Sequence, residues 1–163
     1  RDAETTRFLS WRPHESATDT AEFIGRCLDD WAEARSFAYV IELRQDPGRA
    51  AGMAQLSPLG HESVLGYVLS PGLRGRAIVP EALKPLIDWS LASDRIWRVS
   101  AFCDAENAAS ARVMIKAGLK REGLMRRYSV FPNVDSAPRD CLVYATTPED
   151  WRPAPVAPGL TPR

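Results

Sequence analysis

Little in this chain is in surplus. Its 163 residues carry 21 lysines and arginines against 21 aspartates and glutamates, a formal net charge of zero. The excess of positive charge that a sequence-independent nucleic-acid or membrane surface needs is therefore missing. No apolar run reaches the roughly 18 residues of a membrane-spanning helix, and no secretory signal pattern is visible. There are two histidines, His14 and His61, with no ligand spacing, so no metal site is expected. The three cysteines, Cys27, Cys103 and Cys141, form no C-x-x-C pair. They read as buried thiols in a reducing cytosol, which implies a cytoplasmic location. Neither histidine lies in a nucleophile pattern, so a Cys–His pair is not expected. Both G-x-x-x-x-G-K-[ST] and G-x-G-x-x-G are absent, which sets aside the two best-known phosphate loops.

What is present fits one globular domain with a sizeable core, since 45% of the residues are hydrophobic. Residues 15–34 read as an amphipathic helix, with Phe23, Ile24, Cys27, Leu28 and Trp31 at helical spacing. Three strands follow: 36–43, the stretch "AGMAQLSPL", and 62–70. The first two are joined by a turn centred on Pro47-Gly48. Short connections make these an antiparallel meander. A helix beginning near Pro80 carries Ala82, Leu83, Leu86, Ile87 and Ser90 on one face. Pro85 inside it predicts a kink or an irregular first turn. Trp89 sits off the apolar face and is expected to pack at the sheet edge or an interface. The strand "RVSAFCD", a helix closed by Gly118, and two final strands complete the pattern. The reading is an α/β fold with a mixed, mostly antiparallel sheet and helices on both faces. The domain is expected over 1–147, with a proline-rich tail over 148–163.

The loop "SPGLRGRAIVPEAL" raises a specific question. Gly75 is free to take positive φ, and the backbone N–H groups of Gly75, Arg76, Ala77, Ile78 and Val79 precede a helix. Such a helix start attracts anions, and Arg74 and Arg76 add charge-assisted donors. Further on, Asn107, Ser110 and Met114 fall at i, i+3 and i+7, on one helix face. Asn107 also suits an N-cap.

A strand, then "LRGRAIVPEAL", then a strand, then "NAASARVMIKAGLKREG" resembles the GNAT acyltransferase superfamily. Within it, the branch of ribosomal-protein N-terminal acetyltransferases is the nearest likeness, over about Phe8 to Tyr144. The most specific run is Asn107, Ser110, Lys116, Gly118, Leu119, Glu122 and Gly123. The resemblance implies acetyl-CoA as cosubstrate, with no metal, and an amine acceptor, either a protein N-terminus or a small molecule. It implies that Arg74 to Val79 cradle the pyrophosphate. Tyr67, Val68 and Leu69 would pair with the pantetheine arm, and Asn107, Ser110 and Lys116 would complete the cofactor site. Ala77 and Val79 stand where the family favours small residues, and bulky Val79 is expected to narrow the approach. One more strand and helix are implied ahead of residue 1. Their lack would leave a sheet edge uncovered and prone to dimerise.

Direct transfer to an amine needs a base, a donor to the thioester oxygen and a proton for the leaving thiolate. Relatives often use a glutamate at the position of Val64 and a tyrosine at that of Met114. Neither is present here. Glu62, on the same strand face as Val64, is the displaced base candidate, with Asp104 and Asp140 as alternatives. Each of these carboxylates also has a purely structural reading. Ser110 and Tyr128 are the candidates for the thiolate's proton. Because Val64, Met114 and Val79 depart from the active pattern, a non-catalytic CoA-binding or sensory module is the alternative.

Overall fold

The computed structural model describes residues 2–151. A short helix α1 (Ala3–Thr6) precedes α2 (Ala17–Ala32). Then come β1 (Phe37–Leu43), β2 (Asp46–Leu59), β3 (Glu62–Leu69), a 3-10 turn (Pro71–Leu73), α3 (Ile78–Leu91), β4 (Arg98–Asp104), α4 (Ala108–Ala117), β5 (Lys120–Ser129) and β6 (Arg139–Thr146). The strands form one six-stranded sheet in the order β1-β2-β3-β4-β6-β5. All neighbours are antiparallel except β3 and β4. The sequence-based architecture is found. Among the described residues no strand precedes α2, and β1 forms one edge of the sheet.

Local chemistry sets the element ends. The Ser16 side chain accepts from the Asp19 N–H, and Asp19 reaches back to the Ser16 N–H, a reciprocal cap that starts α2. Asn107 caps α4 and Gly118 ends it at φ 103°, where a Cβ is disfavoured. The turn expected at Pro47-Gly48 lies earlier, at Arg44 and Gln45. Leu43 pairs with Asp46 and Glu42 with Ala50, so Pro47, Gly48 and Arg49 form a bulge within β2. Helix α3 starts two residues before Pro80 and continues unbroken through Pro85. The irregular turn expected there is not found. Pro85 and Glu81 both lie on the exposed side, so the carbonyl left without a donor is open to water.

The core lies between the sheet and α3 with α4. Leu83, Ile87, Val99, Met114 and Ala117 are completely enclosed there. Trp89 packs edge-on against Phe37 of β1, ring centroids 4.9 Å apart, and so covers the sheet edge. Helix α2 behaves differently from its sequence pattern. It buries no residue fully, and Ile24 and Leu28 are 52% and 64% exposed. Its main hold on the sheet is Trp31, which packs on Phe37 and Tyr39 and donates its indole N–H to the Ala38 carbonyl at 2.9 Å. Packing also continues past the boundary expected at 147. Trp151 donates to Asp88 at 2.6 Å and lies against Gly118. Residues 152–163 of the expected tail fall outside the described residues.

Candidate active site

The site begins where two strands part. Strands β3 and β4 pair only over Glu62–Val64 with Arg98–Ser100. Beyond Val64, β3 keeps its partner β2 through to Leu69. Its other side faces the opening toward β4. Tyr67 spans part of that opening: its hydroxyl lies 2.7 Å from Ser110 Oγ and donates to the Ser110 carbonyl at 3.1 Å. Burial pushes the Tyr67 phenol well above its ordinary range, against the opposing effect of Ser110, so it stays protonated. Asn107 Oδ1 accepts from the Ser110 N–H at 3.1 Å. That bond occupies the oxygen and leaves the amide nitrogen free of protein partners among the described residues. Val68 and Leu69 lie on the same strand segment, and Gly52 stands beside them on β2. A Cβ at Gly52 would collide with the Val68 carbonyl oxygen, so the close strand approach depends on glycine there. An isolated glycine within "AGMAQL" is the sequence signal for that contact.

The loop after β3 has the expected form. Gly75 takes φ 79° and Ala77, the N-cap of α3, takes φ 58°. Both are left-handed positions; that explains Gly75, while Ala77, which carries a Cβ, is strained there. The first helical bond runs from the Glu81 N–H to the Ala77 carbonyl at 3.1 Å. The Ile78 and Val79 N–H groups therefore precede the helical ladder, and Pro80 has none to leave unbonded. The Val79 side chain does not narrow the approach as expected. It is buried in the core at 4% exposure, pointing away from the loop. The two arginines differ. Arg74 is bound by Glu4 and donates to Thr5 Oγ1 at 3.2 Å, while Arg76 is exposed and has no ion pair among the described residues. Lys116 is not brought to the opening. It lies in the last turn of α4, nine residues from Asn107, about 14 Å along the helix at 1.5 Å per residue.

The catalytic candidates separate in the same way. Glu62 sits at the closed end of the strand pair. It accepts from Arg98 at 3.1 Å and from the Ser100 hydroxyl, and Arg98 also grips Glu122 through two bonds of 2.6 Å. The Arg98 guanidinium holds the Glu122 carboxyl below its usual range. A carboxylate fixed in such a network is poorly placed to collect a proton. Asp104 is enclosed and bonded to Arg139 at 2.5 Å and to the Glu106 N–H at 2.9 Å. Burial raises its pKa, but these bonds outweigh burial and lower it overall. Asp140 does not pair with Arg139. It accepts the Arg127 N–H at 2.9 Å. Tyr128, on the edge strand β5, packs edge-on against Phe102 of β4 at 5.0 Å and is half exposed. Met114 is buried in the core, as the contacts of α4 require, and presents nothing to the opening. Burial pushes the Cys103 and Cys141 thiols up to about 11, which fits inert, enclosed cysteines.

A cavity of about 540 Å³ adjoins the end of β3. Val68, Leu69 and Ser70 form one wall, and Trp11, His14 and Thr20 from the first two helices and their connection form another. The sequence reading missed this second wall, because Trp11 and His14 lie in an irregular segment with no periodicity. Among the described residues there is no cluster fit to hold a metal ion, and no helix is long and apolar enough to cross a membrane.

Comparison with known proteins agrees with this geometry. The sequence pattern of the acetyltransferase (GNAT) domain matches residues 1–120. An uncharacterised N-acetyltransferase, p20, of Bacillus licheniformis is 22% identical over 130 residues, 78% of this chain and 72% of that protein. The [ribosomal protein uS5]-alanine N-acetyltransferase of Escherichia coli is 28% identical over 93 residues, which span 57% of this chain and 46% of the enzyme. Among solved structures, the microcin C7 self-immunity acetyltransferase MccE, in complex with acetyl-CoA and AMP, superposes with a TM-score of 0.78. It is 20% identical, and the match covers 88% of this chain and 79% of that one. A loop of bare N–H groups beside a parted pair of strands, and a family pattern that covers most of the chain, lead to one conclusion: this chain belongs to the GNAT acetyltransferase family.

Proposed function

We propose that the chain transfers an acetyl group from acetyl-CoA directly to a primary amine, and that the amine is a protein N-terminus. The carrying observation is the parting of β3 from β4 after three paired residues, which ends beside the unbonded N–H groups of Ile78 and Val79. Those groups and Arg76 suit the pyrophosphate. The side of β3 from Leu65 to Leu69 that faces away from β2 suits a pantetheine arm laid in as an extra strand, and the free Asn107 amide adds a donor. The oxyanion of the thioester is assigned to a backbone N–H near Val68 or Leu69. Ser110, bonded to Tyr67 across the opening, is the group we assign to protonate the leaving thiolate, in preference to Tyr128, whose ring packs on Phe102.

A small amine is the competing acceptor. The protein acceptor is favoured by the name of the Escherichia coli relative, which acts on a ribosomal protein. The sensory alternative loses two of its supports, because the Val79 and Met114 side chains lie in the core rather than in the site. Calorimetry with acetyl-CoA, followed by thiol release across alanine- and serine-ended peptides, spermidine and aminoglycosides, tests this reading. Binding and release with peptides are expected. Release only with small amines would overturn the protein acceptor, and binding without release would favour a sensor.

A further inference from the structure

We propose that His14 takes the proton from the acceptor amine, an inference that rests on the transferase reading above. The ring is held in place. It stacks on Trp11, centroids 5.4 Å and planes 30° apart, and packs on Phe23 at 5.4 Å. The segment leading to it is pinned by Asn133, whose side-chain amide donates to the Thr6 and Trp11 carbonyls at 2.7 and 2.8 Å. His14 Nδ1 lies 3.0 Å from Thr20 Oγ1, and that hydroxyl donates onward to the Ser16 carbonyl at 3.4 Å. In the proposed state Nδ1 carries the ring hydrogen and donates to Thr20, which leaves the lone pair on Nε2. No described residue bonds to Nε2.

The same cavity touches His14 and the end of β3 at Val68 and Leu69, where the acyl group is assigned. The competing carboxylates are already engaged: Glu62 with Arg98 and Ser100, Asp104 with Arg139. An imidazole that lines the cavity with one ring nitrogen free of protein partners among the described residues meets the geometric requirement for a general base better than either.

The proton balance closes without any further reagent. The acceptor enters as an ammonium. Nε2 takes one proton, directly or through one water, and the freed nitrogen lone pair attacks the thioester carbonyl carbon. The C–S bond breaks and its electron pair stays on sulfur. A second proton from the amine nitrogen ends on that thiolate, by way of Ser110 or solvent. His14 then gives its proton to bulk water. The products are the amide, the CoA thiol and one proton.

The test compares His14→Phe, which keeps a ring for packing, with His14→Gly, which leaves room for added imidazole. Both are assayed with whichever amine gives the fastest thiol release in the unaltered chain. For His14→Phe we expect kcat/KM to fall about a hundredfold or more, with acetyl-CoA affinity and Tm unchanged. Added imidazole should restore part of the lost rate in His14→Gly. Full activity in His14→Phe would overturn the proposal. So would a loss matched by an equal loss of acetyl-CoA affinity, or a His14→Gly chain that binds acetyl-CoA normally yet ignores imidazole. Failure of the unaltered chain to bind acetyl-CoA would instead count against the transferase reading, and this inference would go with it.

Discussion

The two ends of β3 treat charge in opposite ways. At the closed end, Glu62, Arg98, Ser100 and Glu122 satisfy one another within hydrogen-bond distance. At the open end, the Ile78 and Val79 N–H groups, the Arg76 guanidinium and His14 Nε2 have no protein partners among the described residues. Satisfied charges hold the fold together, and their net worth is modest. Unsatisfied donors in a fixed frame are available to a ligand at little further ordering cost. A carboxylate on the right strand is therefore weaker evidence of catalysis than a polar atom left free beside the cavity.

Removing the cation from the closed end should have the largest effect. Arg98→Met leaves two carboxylates without their partner and is expected to cost about 2 kcal/mol of stability, read as a denaturation midpoint. The pH dependence gives the sign a second check. Glu122 has a folded pKa below its ordinary 4.5. Its contribution is thus complete above that pH and is lost as pH falls through the lower folded value. Arg98→Met should flatten the acid limb of the stability curve. An unchanged limb would mean that the network adds nothing to the fold.

At the open end, Arg76→Ala should weaken acetyl-CoA binding about tenfold by calorimetry, with little change in Tm. Arg74→Ala should weaken it less, because Arg74 must first leave Glu4 and Thr5. The reverse order would mean that the Glu4 pair is exchanged for phosphate without penalty.

Smaller still is the expected change in turnover for Glu62→Gln, within about threefold. A loss of a hundredfold would return Glu62 to the role of base and erase the contrast between the two ends. The smallest effect is expected from Ala77→Gly. Relief of the left-handed Ala77 is worth about 1–2 kcal/mol, offset in part by the greater freedom of glycine in the unfolded chain, for a gain of about 0.5 kcal/mol. A loss of stability would show that Ala77 is not strained.

Much of the fold was legible because its signals are local. Asn107 and Gly118 bound α4 where an N-cap and a left-handed stop belong, and the strands followed their apolar patterns. The phosphate loop was legible for the same reason, since Gly75, without a Cβ, is free to take the left-handed turn ahead of α3. The site's second half was not. Val79 departs from the family pattern, yet its side chain turns into the core, and sequence alone does not give the rotation of a helix start. Arg74 is captured by Glu4, a residue 70 positions away. Glu62 shares a strand face with Val64, but only the pairing of β3 with β4 brings Arg98 against it.

By itself, then, the sequence determined the order of elements, the caps that end the helices, and the helix start able to hold an anion. These depend on residues within a turn or two of each other. The tertiary structure decided which of the polar groups remain free. Strand parting, helix rotation and the packing of Trp11 and His14 against the end of β3 bring together residues far apart in the chain. Whether a charge is spent on the fold or kept for a ligand depends on those distant partners.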